Sequence, residues 1–503
     1  MRGAVKSEGR DIPVESPDFS LDYAQEHLFE RVSVARDYDL LTEALRHGRG
    51  GISHTELRGA LAQRESSGAI LRDGEEIATS ASLRRERNMI ELVNRGIGTC
   101  ERLGGENRLT ASDCLNPEQK RAVEFVLDSH DRVVGISGAA GTGKTATLCE
   151  LSRGLKEARR EILAIASTMS AVEELQKVGF GNAVTVERLL HDQSVQNAVR
   201  GKVIIVDEAG MVSARQMEEV LRLAGKQSAR VVFTGDTSQI QSVEAGDSLR
   251  ILENESRLKS ISLTQVQRQT VRRYREAIEE LRRNPERGVE KLEAIGAVRE
   301  VAPADRAEEV AKAFVAAQSE RNGLASVLVV CPTHEEIYRV TDAIRSHRKT
   351  RGQLGATVQT TRHAALNWTT AQKSDARNFR PGQVLGFHRA VKGIAKNELA
   401  EVVSVEGKHL IVRTEGGVER NVTAKQAKSF EVYENKTIEV CVGDRLLLTA
   451  NRRDGEFRAT NGELVTVAGV DEGPSPTGRR AHASVKLQAI QSRVRGDGAS
   501  QSG

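Results

Sequence analysis

Aromatic side chains are nearly missing from this chain: one Trp, five Tyr and ten Phe stand among 503 residues. Ladders of stacked rings are therefore excluded as the main source of affinity for a base-bearing ligand. A dominant charge is missing too. The 74 Lys and Arg face 70 Asp and Glu, a net of +4, so there is no global polycationic field and any nucleic-acid groove has to be local. No apolar run approaches the roughly 18 residues of a membrane helix, and the opening MRGAVKSEGRDIPVE has no signal-peptide core. Cysteine is scarce: Cys100, Cys114, Cys149, Cys331 and Cys441 are odd in number and far apart. They make neither a zinc pattern nor a disulfide framework, which points to a reduced, cytoplasmic protein. The hydrophobic share is modest at 38%, yet the length suffices for roughly two to four domains.

What the chain does have is Gly138-Ala139-Ala140-Gly141-Thr142-Gly143-Lys144-Thr145, the G-x-x-x-x-G-K-[ST] pattern of a loop that wraps polyphosphate. Val133-Val134-Gly135-Ile136-Ser137 before it has strand length, and Ala146-Thr147-Leu148-Cys149-Glu150-Leu151 after it reads as the start of a helix. The glycines free backbone N–H groups to turn toward one centre, and the helix N-terminus adds partial positive charge. Lys144 brings a full charge to the β- and γ-phosphates of ATP, and the Thr145 hydroxyl a ligand for Mg²⁺.

Upstream, residues 1–20 are polar, carry Pro13 and Pro17, and read as a linker. Helical periodicity then dominates residues 21–107, through Tyr23, His27, Leu28 and Val32 and then Leu40, Leu41, Ala44 and Leu45. Ser53-His54-Thr55-Glu56 has the form of a helix cap. Leu57, Leu61, Ile70 and Leu71 before Asp73-Gly74 suggest a winged-helix-like module, packed against a motor domain. Asn116-Pro117-Glu118-Gln119 opens a further capped helix about twenty residues before the phosphate loop, where Gln119 could read adenine with its donor–acceptor pair.

Beyond the loop, Ile162-Leu163-Ala164-Ile165-Ala166 is a second buried-strand run and ends in Ser167-Thr168, hydroxyls placed where open α/β sheets hold their ligands and candidates for DNA contact. A third run, Val203-Ile204-Ile205-Val206, delivers Asp207-Glu208. Asp207 suits the water shell of Mg²⁺, and Glu208 suits the orientation and deprotonation of an attacking water. The fourth run, Val231-Val232-Phe233-Thr234, leads to Gly235-Asp236-Thr237-Ser238-Gln239, where a neutral Gln239 can sense the γ-phosphate. Leu263-Thr264-Gln265-Val266-Gln267-Arg268-Gln269 opens a second region, with Arg268 as candidate arginine finger.

This ordered set, Gln119, Gly138 to Thr145, Ser167-Thr168, Asp207-Glu208-Ala209, Gly235-Asp236-x-x-Gln239 and Arg268, resembles superfamily 1 DNA helicases of the RecD-like branch. More narrowly, the chain is similar to the helicase half of the conjugative relaxase–helicases of plasmids, the MobF class. Tyr23-Ala24-x-x-His27-x-x-Glu30-Arg31 and Phe379-Arg380-Pro381-Gly382-Gln383-Val384 carry that narrower likeness. It implies an α/β fold with a complete RecA-like domain over 108–255 and an incomplete second one over 256–378. It also implies movement 5′ to 3′ along single-stranded DNA, with other conjugation proteins as further partners. Ala325 to Thr333 resembles the second domain's strand and DNA contact, which gives Pro332 and Thr333 that role. A strand-rich, SH3-like region over 379–472 includes Gly443 to Leu448 and Asn461 to Val467 as hairpin elements. Residues 473–503 are rich in Arg, Ser and Gly and read as a disordered tail.

Two departures from that family shape the expectation. Nothing upstream offers a histidine cluster with a nucleophilic tyrosine, so nicking is expected to be absent. The family's last two helicase motifs find no match before Gly503, so the second domain is expected to be truncated. The reading is a DNA-dependent ATPase of the helicase class; the alternative is a remnant that binds nucleotide and single-stranded DNA without coupling them. A small-molecule P-loop kinase would leave Gly235-Asp236-x-x-Gln239 and Arg268 without a role.

Overall fold

Strands that alternate nothing and are apolar throughout have to be covered on both faces. Val133–Gly138, Ile162–Ala166, Val203–Asp207 and Arg230–Gly235 are of this kind, and in the computed structural model they form one parallel sheet with Val184–Thr185 and Ser260–Leu263. The structure describes residues 16–106, 111–237, 245–265, 271–320, 327–449, 452–454, 457–459, 462–472 and 483–489. Across the sheet the order is Val184–Thr185, Ile162–Ala166, Val203–Asp207, Arg230–Gly235, Val133–Gly138, Ser260–Leu263.

Alternate residues of these strands feed two cores. Ile204, Val206, Val231 and Phe233 pack with Met217, Val220 and Leu221 of helix Ala214–Lys226. Val203, Ile205, Val232 and Ile136 pack on the other face with Val123 of helix Pro117–Leu127 and Leu148 and Leu151 of helix Lys144–Glu157. Each such side chain, fully buried, contributes about 1.5–3 kcal/mol, so covering both faces is what stabilises the sheet.

The N-terminal module has helices Pro17–Phe29, Asp37–Gly48 and His54–Ser66 around a three-stranded sheet ordered Val34–Arg36, Glu76–Thr79, Ile70–Asp73. Ser53 and Glu56 close a capping box on the third helix. Helix Ser80–Arg95 then leaves the module and packs on the parallel-sheet domain, with Met89 and Val93 inside the first of the two cores.

Several expectations are corrected. The stretch read as a linker to residue 20 already contains helix at Pro17, because the Ser16 hydroxyl accepts the Phe19 N–H at 3.2 Å and Pro17 takes the first helical position. The first domain does not stop at 255: Ser260–Leu263 pairs in parallel with Val133–Gly138 and completes its sheet. The region 256–378 otherwise contains, among the described residues, helices Arg272–Arg283, Pro285–Ala294, Arg306–Glu320 and His334–Thr350 and no parallel sheet of its own. The strand expected near 325–333 is not formed over 327–331, where Leu328 and Val330 are 85% and 82% exposed. An apolar run becomes a strand only beside another strand that completes its hydrogen-bond ladder, and none of the described strands lies there.

Thr357–Ala365 instead pairs antiparallel with Phe430–Cys441, so the β-rich region begins before 379. Its six strands run in the order Thr357–Ala365, Phe430–Cys441, Val384–Phe387, Leu399–Glu406, His409–Thr414, Glu419–Thr423. The first and last are not paired with each other, an open sheet where a small barrel was expected. Arg445–Leu447 pairs with Leu464–Glu472, and Ala483–Ala489, inside the stretch read as a disordered tail, pairs with the same strand. Residues 473–482 and 490–503 lie outside the described residues.

Parallel-sheet domain, module and β-rich region meet at the end of the first helix. The Glu30 carbonyl accepts from Ala245 N at 3.0 Å, while its carboxylate accepts from Thr370 N at 2.8 Å. His27 Nδ1 lies 2.8 Å from Thr369 Oγ1. Buried His47 stacks on Tyr23 and lies between Ser20 Oγ, 3.0 Å from Nδ1, and an Arg377 guanidinium nitrogen, 2.7 Å from Nε2. An arginine can only donate, so Nε2 is the acceptor and Nδ1 carries the proton. Burial, with the neighbouring Arg377 charge, pushes the His47 pKa down to about 4, against the pull of Asp375.

Acid is therefore expected to loosen this contact. An unfolded imidazole protonates near pH 6.5 and the native one only near 4, so the native state binds fewer protons in between. Stability is complete above pH 6.5 and declines as pH falls toward 4, by on the order of 1–3 kcal/mol. Burial also depresses His27, which adds to the same decline; at Asp375 burial works upward and the Arg377 hydrogen bonds outweigh it, so its contribution is lost only below its ordinary value of 3.8. Hydrogen-exchange protection factors over residues 17–48 should fall between neutral and mildly acidic buffer, and His47→Gln, which can still accept from Arg377, should flatten that dependence.

Candidate functional site

The strand register sets Ser137 beside Gly235, Gly138 beside Leu263 and Ala166 beside Asp207. The phosphate loop, the acidic pair, Gly235-Asp236 and Ser167-Thr168 thus all leave the sheet from one edge, where open α/β sheets bind ligands. Asp207 stands two strands from the loop strand, about 10 Å at the usual spacing, with Arg230–Gly235 between them.

The loop is shaped through its carbonyl oxygens. Lys144 Nζ donates to Gly138 O at 2.7 Å, and Thr142 Oγ1 to Ala139 O at 2.8 Å. Arg282 donates to Ala140 O at 3.0 Å, and Gln119 Nε2 to Thr142 O at 3.3 Å and Gly143 O at 3.4 Å. Thr147 Oγ1 adds a bond to Gly143 O at 3.2 Å. A peptide whose C=O is tied on one side presents its N–H on the other, so these bonds turn the amides of Ala139, Ala140, Gly141, Gly143 and Lys144 away from the tied carbonyls at the head of helix Lys144–Glu157, while the Thr142 amide is spent on Ala139 O at 3.3 Å. Thr145 is exposed in the first turn of that helix.

Gln119 is buried, and both ends of its carboxamide are engaged: Oε1 accepts from Asn116 N at 3.0 Å and Nε2 braces the loop. The group expected to read adenine thus faces the loop in this structure. Its neighbour Glu118, which sequence reasoning passed over, accepts from Thr264 Oγ1 at 2.7 Å and from the backbone N–H groups of Thr264 and Gln265 at 2.9 and 3.0 Å. The Thr264 hydroxyl, followed by those N–H groups, holds the Glu118 carboxyl below its ordinary range. One helix N-terminus therefore braces the phosphate loop and anchors the chain just before Arg268.

Asp207 accepts from Thr234 Oγ1 at 2.6 Å; the threonine is fully buried and aims the carboxylate. Glu208 follows in the left-handed region, φ 49° and ψ 47°, at the head of a one-turn helix Ala209–Met211. A non-glycine residue held there costs on the order of 1–3 kcal/mol, a strain that collects at functional sites. Thr145 and Asp207 offer hard oxygen donors, which suit Mg²⁺ shared with phosphates and water. Among the described residues no cluster of three or more His, Cys, Asp or Glu could hold a metal by itself. Gln239 and Arg268 fall in 238–244 and 266–270, outside the described residues.

Ser167 has its Oγ buried without a hydrogen-bond partner, while Thr168 Oγ1 caps helix Met169–Lys177 by accepting from Ala171 N at 3.2 Å. Pro332 and Thr333 are exposed on a different element, where Thr333 Oγ1 caps helix His334–Thr350. The arginine missed by sequence reasoning is Arg282. The basic run Arg272-Arg273-x-Arg275 to Arg282-Arg283 looks like a solvated helix face, and no spacing rule links it to the loop.

Gly143 sits at φ +84°, and a Cβ added there would overlap Gln119 Nε2. Gly143→Ala should therefore break the brace and weaken nucleotide binding by about tenfold or more, while global stability falls by only ~1 kcal/mol. Titration with a fluorescent nucleotide beside a denaturant melt checks both; parental affinity would show that the loop does not need Gln119.

Comparison with known proteins adds ancestry to this geometry. A family model described as an AAA domain matches residues 114–303. The multifunctional conjugation protein TraI of Escherichia coli K12 is 26% identical over 279 residues, 51% of this chain and 16% of that protein. A conjugal transfer protein TraA of Sinorhizobium fredii is 34% identical over 140 residues, 27% of this chain and 13% of that one. The RecBCD subunit RecD of Mycobacterium tuberculosis is 31% identical over 159 residues, 26% of this chain and 27% of that subunit. The chain thus spans only a small part of the conjugation proteins it matches. A crystal structure of Bacteroides sp Pif1 with ADP-AlF4 aligns over 65% of this chain and 81% of that one, at 14% identity and a TM-score of 0.32, too loosely to carry an argument. Residues 114–303 thus match the AAA-domain family model, in a chain that is similar over part of its length to the conjugative TraI and TraA proteins and to RecD.

Proposed function

We propose that this chain is an ATP-dependent DNA helicase or translocase part of a conjugative relaxase, working 5′ to 3′ on single-stranded DNA alongside other conjugation proteins. The observation that carries the proposal is the shared sheet edge, where a phosphate loop with tied carbonyls lies with Asp207, Glu208 and Ser167-Thr168, in a chain homologous to TraI, TraA and RecD. The loop amides and Lys144 bind and orient the ATP polyphosphate, Lys144 leaving the Gly138 carbonyl to do so. Thr145 and Asp207 would hold Mg²⁺, which would supply positive charge against the phosphates. Glu208 positions a water and accepts its proton, Gln239 senses the terminal phosphate, and Arg268 supplies positive charge across from the following region. Ser167-Thr168 and Pro332-Thr333 contact the DNA backbone.

No helix of the described residues is long and apolar enough to cross a membrane, and the five cysteines are free thiols, consistent with work in a reducing compartment. A second reading, a nucleotide- and DNA-binding unit that does not couple the two, is favoured by one observation: the exposed run at Leu328 and Val330 has none of the described strands beside it.

ATP turnover with and without single-stranded DNA is the decisive assay. Glu208→Gln should retain ATP binding and lose about 10²- to 10⁴-fold in turnover, whereas Lys144→Ala should lose binding itself. Parental turnover by Glu208→Gln would refute the assignment of the base. Unwinding of a forked duplex by the chain alone would rule out the second reading, and slow, DNA-indifferent turnover would support it. With a net charge of only +4 and few aromatics, DNA affinity should rest on a local groove of backbone contacts. It should fall steeply with salt and hardly vary with sequence; salt-independent binding would contradict the groove.

A further inference from the structure

Arg282 is the one cation that reaches the phosphate loop from outside the parallel-sheet domain among the described hydrogen bonds, 3.0 Å from the Ala140 carbonyl. Its position is built rather than incidental. It lies in the last turn of helix Arg272–Arg283, next to a sharp corner where Asn284 caps helix Pro285–Ala294 by accepting from Arg287 N at 3.2 Å. The two helices touch backbone to side-chain-less backbone: a Cβ on Gly288 would overlap Leu281, the residue just before Arg282. Lys291 Nζ, 3.2 Å from Glu280 Oε2, ties the pair a second time. The hairpin thus presents Arg282 to the exposed tip of the loop from a fixed corner.

The posture of Arg282 matches that of Lys144. Both are full positive charges resting on loop carbonyls, Gly138 for the lysine and Ala140 for the arginine. A carbonyl is a weak partner for a guanidinium, which forms stronger, bidentate bonds to phosphate oxygens and has five donors to offer. A polyphosphate in the loop brings such oxygens to the same place.

We propose that Arg282 is a nucleotide-sensing arginine that exchanges the Ala140 carbonyl for the terminal phosphate of a bound nucleoside triphosphate. Occupancy of the loop is thereby transmitted to the helical hairpin Arg272–Ala294. This rests on the nucleotide-site reading above. The bland alternative is that Arg282 complements the C-terminal dipole of its own helix and merely braces the loop.

The test is equilibrium binding of a fluorescent non-hydrolysable ATP analogue and of fluorescent ADP, at fixed Mg²⁺, to the parent chain, Arg282→Ala, Arg282→Lys, Gly288→Leu and Lys144→Ala. Arg282 is exposed, so its removal should leave the fold intact, and circular dichroism melts verify this. A sensor predicts that Arg282→Ala weakens the analogue by about 10- to 100-fold and ADP far less, with Arg282→Lys in between. Gly288→Leu, which moves the corner and leaves the arginine in place, should reproduce part of the same selective loss. Analogue affinity within about twofold of the parent overturns the proposal, and so does an equal loss for analogue and ADP, the mark of a brace. If Lys144→Ala abolishes binding while Arg282→Ala does nothing, only this inference fails. If the parent holds neither nucleotide, the nucleotide-site reading fails with it.

Discussion

A phosphate loop works only if its backbone N–H groups converge, and a peptide cannot aim its N–H without disposing of its C=O. In this protein the disposal is explicit: Lys144, Thr142, Arg282, Gln119 and Thr147 take the carbonyls of Gly138, Ala139, Ala140, Thr142 and Gly143. The donors come from the loop itself, from the helix before it and from a hairpin more than a hundred residues later in the chain. The shape of the loop is thus a property of separate segments of the chain.

The same economy appears at the sheet edge. Buried Thr234 aims Asp207, and the left-handed turn at Glu208 throws the next carboxylate off the strand axis. Glu118 holds Thr264 and Gln265 where the chain leaves the last strand of the sheet. Farther away, Glu30 joins module, parallel-sheet domain and β-rich region through one carbonyl and one carboxylate. Its neighbour contact depends on a histidine that must stay neutral because its Nε2 faces an arginine donor. The hairpin carrying Arg282 and the N-terminal module both contact the domain built on the two-core sheet.

The local structure around the candidate site was legible from local pattern. Gly138 to Thr145 framed by strand and helix, the Asp207-Glu208 pair after four apolar residues, and the cap at Asn116 each depend on neighbours within a few positions in the chain. What local pattern could not supply was partnership. Ser260–Leu263 reads as weakly as any short run, and only its ladder with Val133–Gly138 makes it part of the first domain. Val327 to Cys331 reads as a strand far better, yet it has none of the described strands beside it and leaves Leu328 and Val330 in solvent. Thr357–Ala365 pairs with a strand about seventy residues on, a choice that nearby sequence cannot express.

Sequence alone therefore determined the chemistry available: which residues carry charge, which glycines permit φ near +84° at Gly143, and which runs can be buried on both faces. Those follow from side-chain type and spacing, which act over one turn or one strand. Tertiary structure alone decided the use of that chemistry. It turned Gln119 onto the loop, tied Glu118 to Thr264, and brought Arg282 to Ala140. The reason is physical: a hydrogen bond is satisfied by whatever donor or acceptor the fold brings within about 3 Å, and that distance carries no trace in the order of the residues.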